Sequence, residues 1–194
     1  MSAYKKQKTL TVGMKAPNFE GKTYFGKDVK LSDFQGKMVW LIFYRYPECP
    51  LCNLHLRALN KRLESYKKNG VEVIAVFESS PDKFRSVKTL LQGITAVSDP
   101  QKKLYQLYEA ENKLRAVFRP SVVLNFAKAI VAGFRQGPIE GDLGQIPASF
   151  LIAEDGVIEK IYFGKTLADH IPFSSVEAFI QYRQQGMWKV KVGA

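Results

Sequence analysis

Continuous apolar blocks alternate along the chain with blocks in which apolar residues return every three or four positions. Met38–Tyr44 (MVWLIFY) is continuous and rich in β-branched and aromatic side chains, which predicts a buried central strand. Val71–Phe77 (VEVIAVF) reads the same way. Between them, Leu54, Ala58, Leu59, Leu63 and Tyr66 recur at helical spacing and predict a core-facing helix over Pro50–Lys68, stopped at Asn69-Gly70. Two buried strands joined by one helix make a βαβ unit, hence a parallel pair.

The flanks carry weaker patterns. Residues 1–12 read as a loosely held arm, and 13–194 as one domain. Phe19–Lys37 predicts two short strands turning at Gly26-Lys27-Asp28, with Val29, Leu31 and Phe34 inward and a short helical turn before the central strand. After Phe77, Ser80-Pro81-Asp82 reads as a capped helix start whose buried stripe is Phe84, Val87, Leu90 and Leu91. Ile94–Val97 predicts a strand and Gln101–Tyr108 a short helix. Ser121–Ala132 is apolar enough to be helical, and Gly133–Gly144 reads as a long loop. Gln145–Ile152 and Val157–Phe163 predict a hairpin turning at Asp155-Gly156. Ser174–Glu177 offers a capping box for a last helix through Gln185, packed through Ala178, Phe179 and Tyr182, and Met187–Ala194 reads as an edge strand.

Composition narrows the class. With 46% hydrophobic and 24% charged residues in 194, the balance is that of a globular domain. No apolar run approaches the ~20 residues that span a bilayer, and no secretory leader is visible, so a cytoplasmic protein is expected. The net charge of +11 is scattered over short pairs such as Lys61-Arg62 and Lys102-Lys103. That reads as solvated faces, and nucleic acid is not an expected partner.

The chemistry sits where the central strand ends. Pro47 stops the strand, and Cys49-Pro50-Leu51-Cys52 opens the helix. Pro50 suits the first helical position, which puts Cys49 at the N-cap and Cys52 in the first turn. Unpaired N–H groups and the helix dipole there favour thiolate over thiol. Both cysteines of the chain lie in this motif, so a structural disulfide framework is excluded and a dithiol redox site is indicated. Cys49 is the expected nucleophile and Cys52 the resolving thiol. The spacing of Cys49, Cys52 and His55, with His170, also admits a metal-holding or basic binding module without catalysis. His55 reads as a helix residue near the site, Glu48 as a solvent-facing acid, and Trp40 as core.

Ala16-Pro17-Asn18-Phe19, Leu31-Ser32-Asp33-Phe34-Gln35-Gly36-Lys37, the Cys-x-x-Cys helix and the later Gly133-Phe134-Arg135-Gln136-Gly137 together resemble the alkyl hydroperoxide reductase/thiol-specific antioxidant superfamily, in its peroxiredoxin-like branch. The likeness covers about residues 13–185. It implies a thioredoxin-like α/β three-layer sandwich, a central mixed sheet flanked by helices, with an N-terminal β-hairpin extension. It implies a thiol–disulfide oxidoreductase or a thiol-dependent peroxidase, acting on a disulfide or a peroxide. It also implies a dithiol protein as reductant, needs no cofactor, and admits a homodimer. In the peroxiredoxin frame Cys52 falls on the peroxidatic position, Cys49 on a threonine and Arg45 on a proline. The family's later arginine position holds Pro147, which matches thioredoxins, where that proline is cis and faces the dithiol. Arg45, Arg119 or Arg135 could replace the arginine. Arg45, Tyr46, Pro47, Pro50 and Pro147 are therefore expected to support the cysteines, and Phe134 and Arg135 to line a substrate loop.

Overall fold

The computed structural model describes residues 9–110, 120–134, 136–137, 141–142 and 144–186. Seven strands form one mixed sheet in the order β2-β1-β5-β4-β3-β6-β7. They are β1 (Glu20–Thr23), β2 (Asp28–Lys30), β3 (Met38–Phe43), β4 (Val71–Phe77), β5 (Thr95–Ser98), β6 (Ala148–Ile152) and β7 (Ile158–Phe163). β3 runs parallel to β4 and antiparallel to β6, and β4 runs parallel to β5. The helices are α1 (Pro50–Lys68), α2 (Lys103–Leu107), α3 (Pro120–Val131) and α4 (Phe173–Gln184).

Strand alternation divides the interior into two cores. Trp40, Ile42, Tyr44, Val73, Ala75 and Leu151 face α1 and α4. Leu41, Phe43, Ile74, Val76, Phe150 and Ile152 face the other way, onto Leu104, Tyr105 and Tyr108 around α2 and onto Phe19 and Leu31 of the N-terminal hairpin. The three-layer sandwich and the N-terminal hairpin are thus as expected. No described helix is long and apolar enough to cross a membrane.

Several local expectations are corrected. The inner stripe of α1 is Cys52, Leu56, Leu59, Leu63 and Tyr66, while Leu54 and Ala58 lie half-buried on its flank. Pro81–Leu91 is a 3-10 helix, and Ser80 does not cap it. The Ser80 hydroxyl donates to the Asp82 carboxylate at 2.6 Å instead. The capping box at Ser174 does not form either, because Pro172 takes the N-cap and Glu177 turns to the Tyr66 hydroxyl and Arg62. The buried face of α4 is Val176, Phe179, Ile180 and Arg183; Ala178 is exposed and Tyr182 half-exposed. In the described part of the N-terminal arm, Leu10 packs against the second core and the Thr11 carbonyl accepts from the Met14 N–H. Residues 1–8 and the tail strand expected from Met187 lie outside the described residues.

Arg183 reaches from α4 to Glu154 and Glu159 on the β6–β7 hairpin, at 2.5 and 2.6 Å, with 3% of its side chain exposed. Removing it leaves two carboxylates facing each other without their cation. Arg183→Ala is expected to lower unfolding free energy by ~3 kcal/mol, read from urea titrations. A loss within measurement error would mean that α4 docks through its apolar face alone.

Candidate active site

β3 aims the chain at one end of the sheet. Tyr44 still donates its backbone N–H to the Val76 carbonyl, and the Arg45 carbonyl accepts from Glu78. Pro47 then prevents further pairing, and the Cys49 N–H turns back to the Tyr46 carbonyl at 3.1 Å. This turn delivers Cys49 to the N-cap of α1, with Pro50 at the first helical position. The Cys49 carbonyl accepts from Asn53, which starts the helical ladder.

Both cysteines are free and buried, with 1% of Cys49 and none of Cys52 exposed. Their environments differ in sign. Burial alone pushes the Cys49 thiol up; against it act a hydrogen bond from Cys52, the Arg45 guanidinium, and the backbone N–H groups of Cys52 and Leu51. The balance brings Cys49 down to about 6. Cys52 is pushed well up, by burial first and then by its hydrogen bond to Cys49 and the Cys49 charge, with Arg45 opposing. The two environments favour the anion at Cys49 and the proton at Cys52, with a hydrogen bond between them.

Arg45 is the cation of the site. It is 5% exposed, its Nη1 lies 3.6 Å from Cys49 Sγ, and its guanidinium carbon sits 5.0 Å from the centre of the Tyr46 ring. Of the three arginines considered from sequence, Arg119 and Arg135 lie outside the described residues. Tyr46 and Pro47 are buried beneath the turn, and the Tyr46 hydroxyl accepts from Gln136 Nε2 at 2.7 Å. Glu48 is half-buried rather than solvent-facing. Its carboxylate accepts from the Ser86 hydroxyl at 2.9 Å, and its carbonyl accepts from the Gly137 N–H at 3.5 Å. At Gly137 any side chain would collide with Glu48, its Cβ falling 2.6 Å from the Glu48 Cβ. Phe134, Gln136 and Gly137 therefore close over the turn, and with Glu48, Asn53, Ser86 and Val87 they line a cleft of about 340 Å³.

Pro147 is corrected. No described peptide bond is cis, so Ile146–Pro147 is trans and feeds an extended chain into β6. Its carbonyl accepts from the Gly164 N–H at 2.8 Å, and its ring lies against that glycine.

The metal reading is not supported by the arrangement. The His55 ring stacks on His170 at 3.9 Å and shares a 2.7 Å hydrogen bond with the Tyr44 hydroxyl. Among the described residues no three His, Cys, Asp or Glu converge as a metal site. Sequence reasoning missed Gln136 and the ion cluster of buried Glu78 with half-buried Lys102 and Asp142, which ties down the far end of the same covering segment. Its only sequence signal was the glycine density of 133–144. Gly141 leaves the space that the Glu78 carboxylate fills.

A dithiol at the N-terminus of the first helix of a mixed three-layer sandwich, with one thiol lowered and one raised, defines a thioredoxin-like thiol oxidoreductase. The AhpC/TSA family pattern matches residues 12–161, and the chain belongs to that family. A relative named as a peroxiredoxin (bcp) from Buchnera aphidicola subsp. Schizaphis graminum is 30% identical over 162 residues, covering 84% of this chain and 90% of its own. The thiol-disulfide oxidoreductase ResA of Bacillus cereus is 34% identical over 79 residues, covering 41% of this chain and 45% of its own. Among solved structures, the reduced 2-Cys peroxiredoxin of Plasmodium vivax superposes with a TM-score of 0.64 at 20% identity, over 90% of this chain and 82% of its own. The protein is accordingly a thiol-dependent oxidoreductase or peroxidase, working with redox partners.

Proposed function

We propose that the protein catalyses thiol–disulfide exchange, with Cys49 as the attacking thiolate and Cys52 as the resolving thiol. The observation that carries this is the convergence on Cys49 of the Arg45 guanidinium and the free N–H groups of α1, while Cys52 stays protonated behind it.

The Cys49 thiolate attacks one sulfur of a substrate disulfide. The S–S bond breaks, and the departing thiolate takes a proton from water. Cys49 is now neutral in a mixed disulfide. Two of the causes that raised Cys52, the hydrogen bond to Cys49 and the Cys49 charge, vanish at that moment. Arg45 remains, through its guanidinium and its backbone N–H, and both lower Cys52. Consumption of the first thiolate thus activates the second. Cys52 loses its proton, attacks Cys49 Sγ, releases the second substrate thiolate and closes the Cys49–Cys52 disulfide. Two electrons have passed to the substrate, and a dithiol protein must return them. A reducing compartment such as the cytoplasm fits this cycle, since it keeps both thiols available between turnovers.

One observation favours a second reading, in which the oxidant is a hydroperoxide. Cys49 is covered, and a buried guanidinium stands beside it, ready to donate to a peroxide oxygen. Cys49 would then take the distal oxygen as a sulfenic acid, releasing an alcohol or water, and Cys52 would condense with it, releasing water.

Stopped-flow fluorescence of buried Trp40, 6.1 Å from the His55 ring, reports oxidation of the reduced protein by hydrogen peroxide or by a model disulfide. Cys49→Ser is expected to abolish the fast phase with either oxidant. Cys52→Ser is expected to keep it but stop at a mixed disulfide or a sulfenic acid, identified by mass. Fast oxidation that survives Cys49→Ser and is lost in Cys52→Ser would reverse the two roles. A peroxide rate well above the disulfide rate would select the second reading.

A further inference from the structure

α3 has an unusual surface. Its polar residues are Ser121, Asn125 and Lys128; the rest of its length is apolar apart from the leading proline. Among the described side chains of α3, Val122 and Ala129 are the buried ones, on the side facing the protein. Val123, Leu124, Ala127, Ile130 and Val131 lie together on the opposite side, at the helical spacing of a core-facing stripe. Yet Val123 is 71% exposed, Leu124 59%, Ile130 46% and Val131 89%. No described residue covers this face. A contiguous apolar stripe left in water marks an interaction surface.

Its surroundings are basic. Arg57 of α1 donates to the Ala132 carbonyl at 3.3 Å, and Arg57 and Lys61 stand exposed along α1. Arg85 and Lys88 are exposed on the 3-10 helix across the 340 Å³ cleft, and Lys128 is exposed on α3 itself. The nearby carboxylates do not balance them. The described acids beside them are Glu48, Asp82 and Glu64, three carboxylates against the five cations Arg57, Lys61, Arg85, Lys88 and Lys128, so the rim stays net positive.

We infer that the outer face of α3, with this basic rim, docks an acidic dithiol protein that reduces the Cys49–Cys52 disulfide. The inference rests on the dithiol cycle proposed above. Charge complementarity selects the partner: a second copy carrying +11 would be repelled, whereas an acidic protein is attracted. The reaction selects a thiol-bearing protein over an anionic membrane, because a membrane supplies no thiolate to reset the site. Position supports it as well. α3 runs into Gly133, Phe134, Gln136 and Gly137, the residues that cover Cys49 through Tyr46 and Glu48. A partner seated on α3 therefore holds the segment it must pass. One partner thiolate attacks Cys49 Sγ, and Cys52 leaves as a thiolate and gains a proton. The partner's second thiolate then attacks its own half of the mixed disulfide, releasing the Cys49 thiolate and leaving the partner oxidised by two electrons.

The test uses a full-length acidic thioredoxin as reductant, and its resolving-cysteine Ser variant as a binding probe. Leu124→Ser/Val131→Ser alters only exposed positions and is expected to weaken probe binding and slow protein-driven reduction about tenfold, with reduction by dithiothreitol unchanged. Arg85→Glu/Lys88→Glu is expected to do the same, and the wild-type rate to fall as salt rises. Wild-type binding and rate in both variants would overturn the inference. So would a concentration-dependent dimer, or binding to phosphatidylglycerol vesicles, lost in Leu124→Ser/Val131→Ser while probe binding persists. If oxidised protein contains no Cys49–Cys52 disulfide, the dithiol cycle fails, and probe binding still decides whether α3 is the docking face.

Discussion

Arg45→Met moves the titration of the Cys49 thiolate upward from about 6 and slows oxidation at neutral pH about 10²-fold. Two losses combine in that figure. The guanidinium is the nearest cation to a sulfur that burial would otherwise keep protonated, so its removal raises the thiol and shrinks the thiolate fraction. The variant also lacks the donor that steadies negative charge on the leaving sulfur or oxygen. Methionine keeps the length and apolar character of the buried stem, so the fold should persist although the guanidinium over the Tyr46 ring is lost. The pH profile separates the two losses. Wild-type oxidation should rise with pH through about 6 and then level off, whereas the variant should keep rising through neutrality. Arg45→Lys restores the charge without the planar fork and should recover part of the rate. An unchanged thiolate titration in Arg45→Met would mean that the Cys52 hydrogen bond and the helix N-terminus lower Cys49 without Arg45.

The parts legible in the sequence were those set by local physics. Met38–Tyr44 and Val71–Phe77 are continuous apolar runs that only a central strand buries on both faces, and Pro50 to Asn69-Gly70 carries its own start and stop. The Cys49–Cys52 pair was visible for the same reason, because a strand end, a proline and a helix start are sequence-local. What was not legible is decided by distant groups. Ser80 and Ser174 look like caps, but the Ser80 hydroxyl turns to Asp82, and Ser174 falls inside α4 because Pro172 takes the N-cap. Arg45 occupies a position that is proline in the related pattern, and nothing local says that its side chain folds back onto Cys49 four residues on. The cover over the site depends on Gln136 reaching Tyr46 across 90 residues. The apolar residues of α3 predict a helix but not which of its faces is covered; the fold shows that the stripe from Val123 to Val131 is exposed.

His55 and His170 make the fold acid-sensitive. Their rings stack at 3.9 Å, and His55 Nε2 and both His170 nitrogens are buried without a hydrogen-bond partner among the described residues. Trp40 from β3, Tyr44 just after it and Phe173 from α4 surround them, and the charged side chain that acts on His55 is Arg62, a cation. No described carboxylate is positioned to welcome a proton there. Burial, joined for His55 by its partner ring and Arg62, therefore holds both imidazoles below their usual value, with His170 down to about 3. The sign follows directly. Above the unfolded value of 6.5 both states are neutral and pH has no effect through this pair. Below it the unfolded chain takes up protons that the folded pair refuses, so stability falls with pH, by about 1.4 kcal/mol per unit for each histidine, until the folded groups also titrate. His170→Phe keeps an aromatic ring against His55 and Phe173 and deletes one of the two protons. Urea titrations between pH 6.5 and 4.5 should give a steep wild-type slope and a variant slope shallower by about 1.4 kcal/mol per unit, with similar stability above pH 7. Parallel slopes would mean that His170 titrates as freely in the folded protein as in the unfolded chain, and that the stacked pair opens to water before the rest of the domain does.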